Sequence, residues 1–409
     1  MKKFITVLSA LAVCLGAAAA VNAASDMRLT IGVNKAVVDG AEKELDSAPV
    51  IINSRTMVPL RFVAENFGFN VEWSEKDQMV TIKDNGNTGD PTAVRLGSDL
   101  WIAGLSEEVE RTDVSYRNRY GIELAGELYT PKGLDRSEKN AAVVIGAPYG
   151  GVKEQGPCVY ANELAKRGFV VLTFDPSFNG ESGGEPRHVS SPDIFTEDFS
   201  AGVDYLGTLG YVDREKIGAI GICGSGGFAL SAAQTDTRIK AVITASLVDI
   251  SGNSASLSAE ERQAVLDDLA AQRWEDVDNG TPEYIPTFPE ETAEAVPEGL
   301  DPMSEEFYTF YGLERGHHPR ARGGFTTTSE AAFMNYSLLG HLDTISPRPV
   351  MMIAGENAMS KGISDMVYEQ LGSNKEFVTV PGANHIDLYD DAEKIPFDEI
   401  DEFLKTNLN

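Results

Sequence analysis

The residues of this chain best placed to do chemistry are a cysteine and a histidine, each following a short apolar run. Lys216 to Leu230 reads K-I-G-A-I-G-I-C-G-S-G-G-F-A-L, in which the apolar run Ile217 to Ile222 meets a cluster of small residues and then a helix-compatible Ala/Leu segment. A strand, a sharp turn and a helix in immediate succession leave room for one projecting side chain. Bulk on either side of it would collide with the strand or with the first helical turn. Cys223 is that pivot. The N-terminus of the following helix offers backbone N–H groups and a positive dipole end, which stabilise a thiolate and a developing oxyanion. That is a setting for acyl transfer. Farther on, E-F-V-T-V runs into P-G-A-N-H-I-D, so His385 stands at a strand end as the natural general base. A third run, A-A-V-V-I-G, ends in A-P-Y-G-G, whose Tyr149 N–H can join the Gly224 N–H as a pair of oxyanion donors.

Competing residues weigh less. Ser225 is the alternative nucleophile, in C-G-S-G-G, but choosing it moves the pivot two residues into the expected helix. Ser182 lies in G-E-S-G-G, several residues after its strand has ended at Asp175-Pro176, and reads as a turn. The plain alternative for Cys223 is a small buried hydrophobe. His341 and His188 lack a strand-end context, and His317-His318 lack the i, i+4 spacing or nearby cysteine of a metal site. The same stretch, R-G-H-H-P-R-A-R, is a basic island in an acidic chain. Arg320 and Arg322 are candidates to read a carboxylate on the substrate, against the plainer alternative of a solvated loop.

The elements that must position these residues follow from alternating patterns. V-E-R-T-D-V-S-Y and I-E-L-A-G-E-L-Y form an antiparallel pair around N-R-Y-G. Strands at A-A-V-V-I-G, V-V-L-T-F-D, the cysteine run, I-K-A-V-I-T-A-S, R-P-V-M-M-I-A-G and E-F-V-T-V then alternate with helices, which predicts a mostly parallel α/β sheet with its site at the carboxyl ends of the strands. Nucleophile before histidine is also the chain order of the α/β-hydrolase template. About 251–340 interrupts the sheet with helix-like and loop-like sequence, a usual place for a cap.

The chain in front of this sheet has a different texture. Lys2 and Lys3 precede an apolar run, Phe4 to Leu15, and small residues, so 1–24 reads as a secretory signal peptide and the mature protein is expected outside the cytoplasm, with no transmembrane span. Cys14 does not make this a lipoprotein signal, because Val13 precedes it where a small residue is wanted. Residues 27–83 predict a small α+β module, 84–105 a polar linker and 106–409 the catalytic domain. Only Cys158 and Cys223 remain beyond the leader, too few for a disulfide-stapled fold, and a pairing between them has no support in their spacing. With 63 acidic against 34 basic residues the net charge is −29, which repels phosphate backbones and excludes nucleic acid as a partner.

Two resemblances follow from quoted motifs. I-I-N-S-R-T-M-V-P-L-R-F-V-A-E-N-F-G-F-N-V-E-W resembles the copper amine oxidase-like N-terminal (stalk) domain, which implies a non-catalytic accessory module associated with the cell envelope. No His or Cys occurs from Met27 to Lys83, so no copper site is expected there. G-V-K-E-Q, F-D-P-S-F-N-G-E-S-G-G-E-P-R, V-D-R-E-K-I-G-A-I-G-I-C-G-S-G-G and P-G-A-N-H-I-D-L-Y-D together resemble the dienelactone-hydrolase-like branch of the α/β hydrolases. That resemblance implies Cys223 as nucleophile, His385 as base, Tyr149 and Gly224 as oxyanion donors, and no cofactor or metal. The chain departs from the branch at the triad acid: Ala358 takes the aspartate place, leaving Glu356 and Asp249 as substitutes. The expectation is a secreted, capped α/β hydrolase for a small ester, thioester or lactone. A non-catalytic surface-binding protein is the alternative, and a peptidase a weaker one.

Overall fold

In the computed structural model the described residues are 4–6, 27–38, 40–45, 47–52, 55–66, 69–74, 79–84, 100–321 and 323–408. The chain divides into two compact units, Met1–Arg95 and Leu96–Asn409.

The first unit is α+β. Its short strands are Phe4–Thr6, Met27–Thr30, Lys35–Val38 and Ala41–Glu44, antiparallel in that order, followed by the hairpin Val50–Ile52/Arg55–Met57, the helix Leu60–Asn66 and the hairpin Phe69–Ser74/Met79–Asp84. Met27, Leu29, Ala36, Val38 and Leu45 make its small core, with Phe62 and Val63 of the helix against them. Most of the signal-peptide reading lies outside the described residues.

The second unit is built on eight strands: β1 (Val109–Arg117), β2 (Glu123–Pro131), β3 (Asn140–Gly146), β4 (Val170–Phe174), β5 (Val212–Ile222), β6 (Ala241–Ala245), β7 (Val350–Gly355) and β8 (Lys375–Val380). They lie in the order β8-β7-β6-β5-β3-β4-β2-β1, antiparallel at β4-β2-β1 and parallel elsewhere. The parallel strands are continuous apolar runs because both faces are covered. Val143 and Ile145 face one core with the helices α1 (Gly156–Lys166) and, at the chain end, Phe397–Asn407. Ala142 and Val144 face the other, with α2 (Pro192–Thr208) and α3 (Ser225–Thr235). The insertion between β6 and β7 carries α4 (Ala259–Asn279), started by a Ser258/Glu261 capping box, and α5 (Pro302–Tyr311), started by Asp301. Among the described residues no helix is long and apolar enough to cross a membrane.

One boundary differs from the sequence reading. Residues 100–105, expected in the linker, belong to the sheet domain: Trp101, Ile102 and Ala103 pack on the β3/α1 core, the Trp101 indole donates to Glu127 at 2.7 Å, and Ile102 N–H bonds the Glu154 carbonyl at 3.1 Å. The polar composition around these residues hid a single anchoring tryptophan. Glu127 is fully buried, which raises its carboxyl to about 7, and it depends on Trp101 and the Tyr129 hydroxyl for donors. A chain beginning at Leu105 should therefore be destabilised by ~2–4 kcal/mol relative to one beginning at Leu96, from lost apolar burial and an orphaned acceptor. Equal urea midpoints for the two would refute the anchor.

Candidate active site

The elbow is made by close approach. A Cβ on Gly221 would sit 2.1 Å from the Ser225 carbonyl oxygen, and one on Gly224 would sit 2.7 Å from the Tyr149 Cβ, so neither position tolerates a side chain. Between them Cys223 adopts φ +56°, a left-handed conformation that is costly for a residue with a Cβ. It is held there by its N–H to Ala245 O (2.9 Å) and by its own carbonyl, which accepts from Gly226 and Val248 N–H (2.9 and 3.1 Å). α3 starts at Ser225, as the sequence pattern requires, and the Ser225 hydroxyl is turned away to donate to the Ala147 carbonyl. Ser182 lies in a turn, donating to Asp175 O and accepting from Ala125 N–H.

Around the Cys223 sulfur the structure brings together residues from four segments. The Gly224 and Tyr149 N–H groups both point at it. Tyr149 is fixed by a hydroxyl bond to Ser190 (2.7 Å) and by packing on Phe325, ring centroids 4.3 Å apart. The Tyr389 hydroxyl lies beside the sulfur, and it bonds His385 Nε2 at 3.0 Å. Tyr389 therefore stands between cysteine and histidine, a residue that the sequence reading missed. The signal was present in the spacing, since His385 and Tyr389 are one helical turn apart and so share a face. From the cap, α5 lays Phe307 edge-on to His385 (5.5 Å) and buries the Tyr311 hydroxyl beside Tyr389 and Cys223, with no well-formed hydrogen bond of its own. Such a donor is poised for an oxygen of a bound substrate.

The expected acids are not at the histidine. His385 Nδ1 meets the Ser360 hydroxyl at 2.7 Å. Glu356 is exposed and accepts from Gly382 N–H, while Asp249 accepts from the Ser251 N–H and hydroxyl. The correction has a local cause: after β7 the chain turns through Glu356–Ala358, and the residue delivered under the imidazole is Ser360, two positions beyond the place of the family aspartate. Burial lowers the His385 pKa to about 4. Burial likewise raises the Cys223 thiol, partly offset by the bonds from Tyr389, Gly224 and Tyr149. At neutral pH this is a pair of neutral groups at rest, and the sulfur needs its proton removed at the moment of attack. Cys158 differs: burial pushes its thiol up to about 12, it bonds the Glu154 carbonyl, and both cysteines are free.

Arg320 is not free to read an anion. It pairs with Glu154 and Glu181, and these two carboxylates with Asp175 surround the Lys153 ammonium at 2.7–3.1 Å. Two cations against three carboxylates leave the group negative, so a substrate carboxylate is disfavoured there. Burial opposes the Lys153 charge, but Asp175 and Glu154 outweigh it and keep the ammonium above its usual range. The same carboxylates have a spacing that suits a cation, and the ammonium fills it. His318, 4.0 Å from Glu154, is held neutral by burial and Arg320, its pKa pushed down to about 3, while His317 bonds Pro289 O. Arg322 lies outside the described residues.

Comparisons with known proteins agree with this fold. A family model for the copper amine oxidase N-terminal domain matches residues 16–82, and one for the X-Pro dipeptidyl-peptidase (S15 family) matches residues 120–286. The uncharacterised protein PA2218 of Pseudomonas aeruginosa is 45% identical over 312 residues, 74% of this chain and 82% of that protein; its crystal structure superposes with a TM-score of 0.71 at 44% identity, covering 75% of this chain and 96% of that one. The uncharacterised protein YcjY of Escherichia coli is 37% identical over 279 residues, 67% of this chain and 90% of that protein. The polyketide transferase grgF of a Penicillium species is 27% identical over 302 residues, 73% of this chain and 97% of that protein. The crystal structure of GrgF, an α/β hydrolase, shares the fold at a TM-score of 0.60 and 24% identity, covering 73% and 99% of the two chains.

The arrangement separates the acid candidates by experiment. Ser360→Ala should lower kcat about tenfold, by freeing the imidazole to rotate and change tautomer, whereas Glu356→Gln and Asp249→Asn should stay within about twofold of wild type. Steady-state kinetics on p-nitrophenyl acetate check this, and a large loss in either carboxylate variant would restore that carboxylate as the orienting acid. The buried imidazole also predicts a pH effect. Its pKa of about 4 lies below the ordinary value near 6.5, so its contribution to stability is complete above about pH 6.5 and lost as pH falls toward about 4. The urea-midpoint difference between wild type and His385→Gln should therefore shrink from pH 7 to pH 5; a constant difference would mean the imidazole titrates alike in the folded and unfolded chain.

Proposed function

The chain belongs to the α/β-hydrolase family of PA2218 and YcjY, and on that premise we propose that it cleaves a small activated acyl compound, an ester, thioester or lactone, with Cys223 as nucleophile and His385 as base. The observation that carries the reading is the position of the Cys223 sulfur, at the elbow between β5 and α3, under two backbone N–H donors and one hydroxyl away from a buried neutral imidazole. Attack by the sulfur on the acyl carbon puts negative charge on the carbonyl oxygen, where the Gly224 and Tyr149 N–H groups are oriented to receive it. Collapse expels the leaving group with a proton from the imidazolium and leaves an acyl-cysteine, which water activated by His385 then resolves. A thiol ionises more readily than a hydroxyl, so the absence of a carboxylate at His385 is less damaging here than in a serine enzyme.

A second reading shares the first half-reaction. Cys223 is 6% exposed and His385 0%, with Phe307 and Tyr311 packed beside them. An acyl-cysteine kept this dry favours an acceptor that enters by its own binding energy over bulk water, which is acyl transfer, and the relative grgF is named a polyketide transferase. The apolar leader with its two lysines supports export, and the amino-terminal module supports an envelope-associated protein.

The test is a panel of p-nitrophenyl esters, acyl thioesters and small lactones, with and without an added alcohol or amine acceptor. Cys223→Ala should abolish turnover by 10³-fold or more, and Ser225→Ala should keep it within a fewfold while costing ~1 kcal/mol of stability for its lost bond to Ala147. Faster product release with acceptor present would select transfer. Full turnover in Cys223→Ala with none in Ser225→Ala would make this a serine enzyme.

A further inference from the structure

The position of Tyr389, at His385 and beside the sulfur, gives it a role that the family template does not supply. We propose that Tyr389 relays the proton between Cys223 and His385; the inference rests on those two residues acting as nucleophile and base. Its hydroxyl lies beside the sulfur on one side and 3.0 Å from His385 Nε2 on the other. Tyr389 is completely buried, and its ring is held edge-on by Phe310 (5.4 Å) and His385 (5.4 Å). The turn that carries it, Asp387–Asp390, is pinned from α1 by the Tyr160 hydroxyl on the Leu388 carbonyl at 2.7 Å. A hydroxyl set so firmly between the two groups makes them communicate through it.

The chemistry balances without any outside partner. The step takes the tautomer in which Nδ1–H donates to the Ser360 hydroxyl, 2.7 Å away, and the Nε2 lone pair faces Tyr389. As sulfur attacks, its proton passes to the Tyr389 oxygen while the Tyr389 proton passes to Nε2. The sulfur electron pair forms the S–C bond, and the carbonyl π pair moves to the oxygen under Gly224 and Tyr149. The products of the step are a tetrahedral oxyanion, a neutral tyrosine and an imidazolium. The proton then returns from the imidazolium to the leaving group as the C–leaving-group bond breaks. Tyr389 passes protons and does not store charge: burial holds its phenol well above the ordinary range, and the sulfur, Tyr311 and Glu306 facing it push the same way. Glu306 approaches from α5, where its carboxylate accepts from Ile386 N–H at 2.7 Å, and Tyr311 comes from the same helix. Among the described residues no carboxylate bonds the imidazole, so a concerted shift of both protons avoids a separated thiolate–imidazolium pair that the dry site would penalise.

The experiment reads the thiol directly. Iodoacetamide alkylation of Cys223, located by peptide mass mapping, is followed from pH 5 to 10 in wild type, Tyr389→Phe and His385→Gln, beside p-nitrophenyl acetate turnover. The phenylalanine keeps the ring packing and removes only the hydroxyl. Alkylation at pH 7 should slow about 100-fold in Tyr389→Phe, its half-maximal pH should rise, and the profile should coincide with that of His385→Gln, since each variant breaks the same path. A wild-type rate and midpoint in Tyr389→Phe would overturn the relay, and so would a faster rate, which would make the hydroxyl a shield. A proton inventory on the wild-type acylation step needs no variant: two protons in flight give a curved dependence on deuterium fraction, and a linear one overturns the relay. Failure of the underlying reading looks different, because Cys223→Ala would then keep its turnover whatever Tyr389 does.

Discussion

The site depends on one steric contact, the approach of α3 to the end of β5. Gly221 lies so close to the Ser225 carbonyl that no side chain fits between them, and this closeness forces the chain to reverse at Cys223 in a left-handed conformation. The strain is of order 1–2 kcal/mol, small against the apolar burial of a helix whose first nine residues are all buried. In return the turn points the sulfur away from the sheet and gathers the Gly224 and Tyr149 N–H groups over it. Gly224 could not carry a side chain without striking Tyr149, so nucleophile and oxyanion donors are placed by the same packing.

The second constraint is electrostatic. A carboxylate under the histidine would stabilise an imidazolium, raise the base pKa and help ionise the thiol in the resting state. The chain has a serine there, and a buried neutral imidazole is the result. A resting thiolate in so closed a site would be poorly solvated, while a neutral thiol is quiet until a carbonyl arrives between the N–H donors.

How far the sequence reveals this depends on the range of each interaction. The sheet and its order of chemistry were readable because β3, β4, β6, β7 and the second half of β5 are apolar runs, and the elbow because Gly221, Gly224, Gly226 and Gly227 cluster within a few residues of Cys223. His385 was readable from its place after β8. What was not readable lies in loops whose path no local pattern sets. The turn after β7 brings Ser360 to the imidazole while leaving Glu356 in solvent, and a serine outside any motif carries no signal. Arg320 looked free because its partners, Glu154 and Glu181, are far from it in sequence. Tyr389 was overlooked because a tyrosine one turn after a histidine is an ordinary core pattern, and only the position of the sulfur makes it chemical.

The cap completes the argument from packing to reaction type. α5 closes the site with Phe307 and Tyr311, and it is anchored to the histidine loop by Glu306 on Ile386 N–H and, just beyond the helix, by Arg315 on Asp387 and Asp390. Lys394 also pairs with Asp387, so the loop bearing His385 and Tyr389 is braced on two sides. A substrate must displace aromatic surface to reach the sulfur, and its own apolar groups must replace the contacts that α5 gives up. Under the proposed mechanism this closure would keep water from the acyl-cysteine, so the choice between hydrolysis and transfer would rest with what the site admits next.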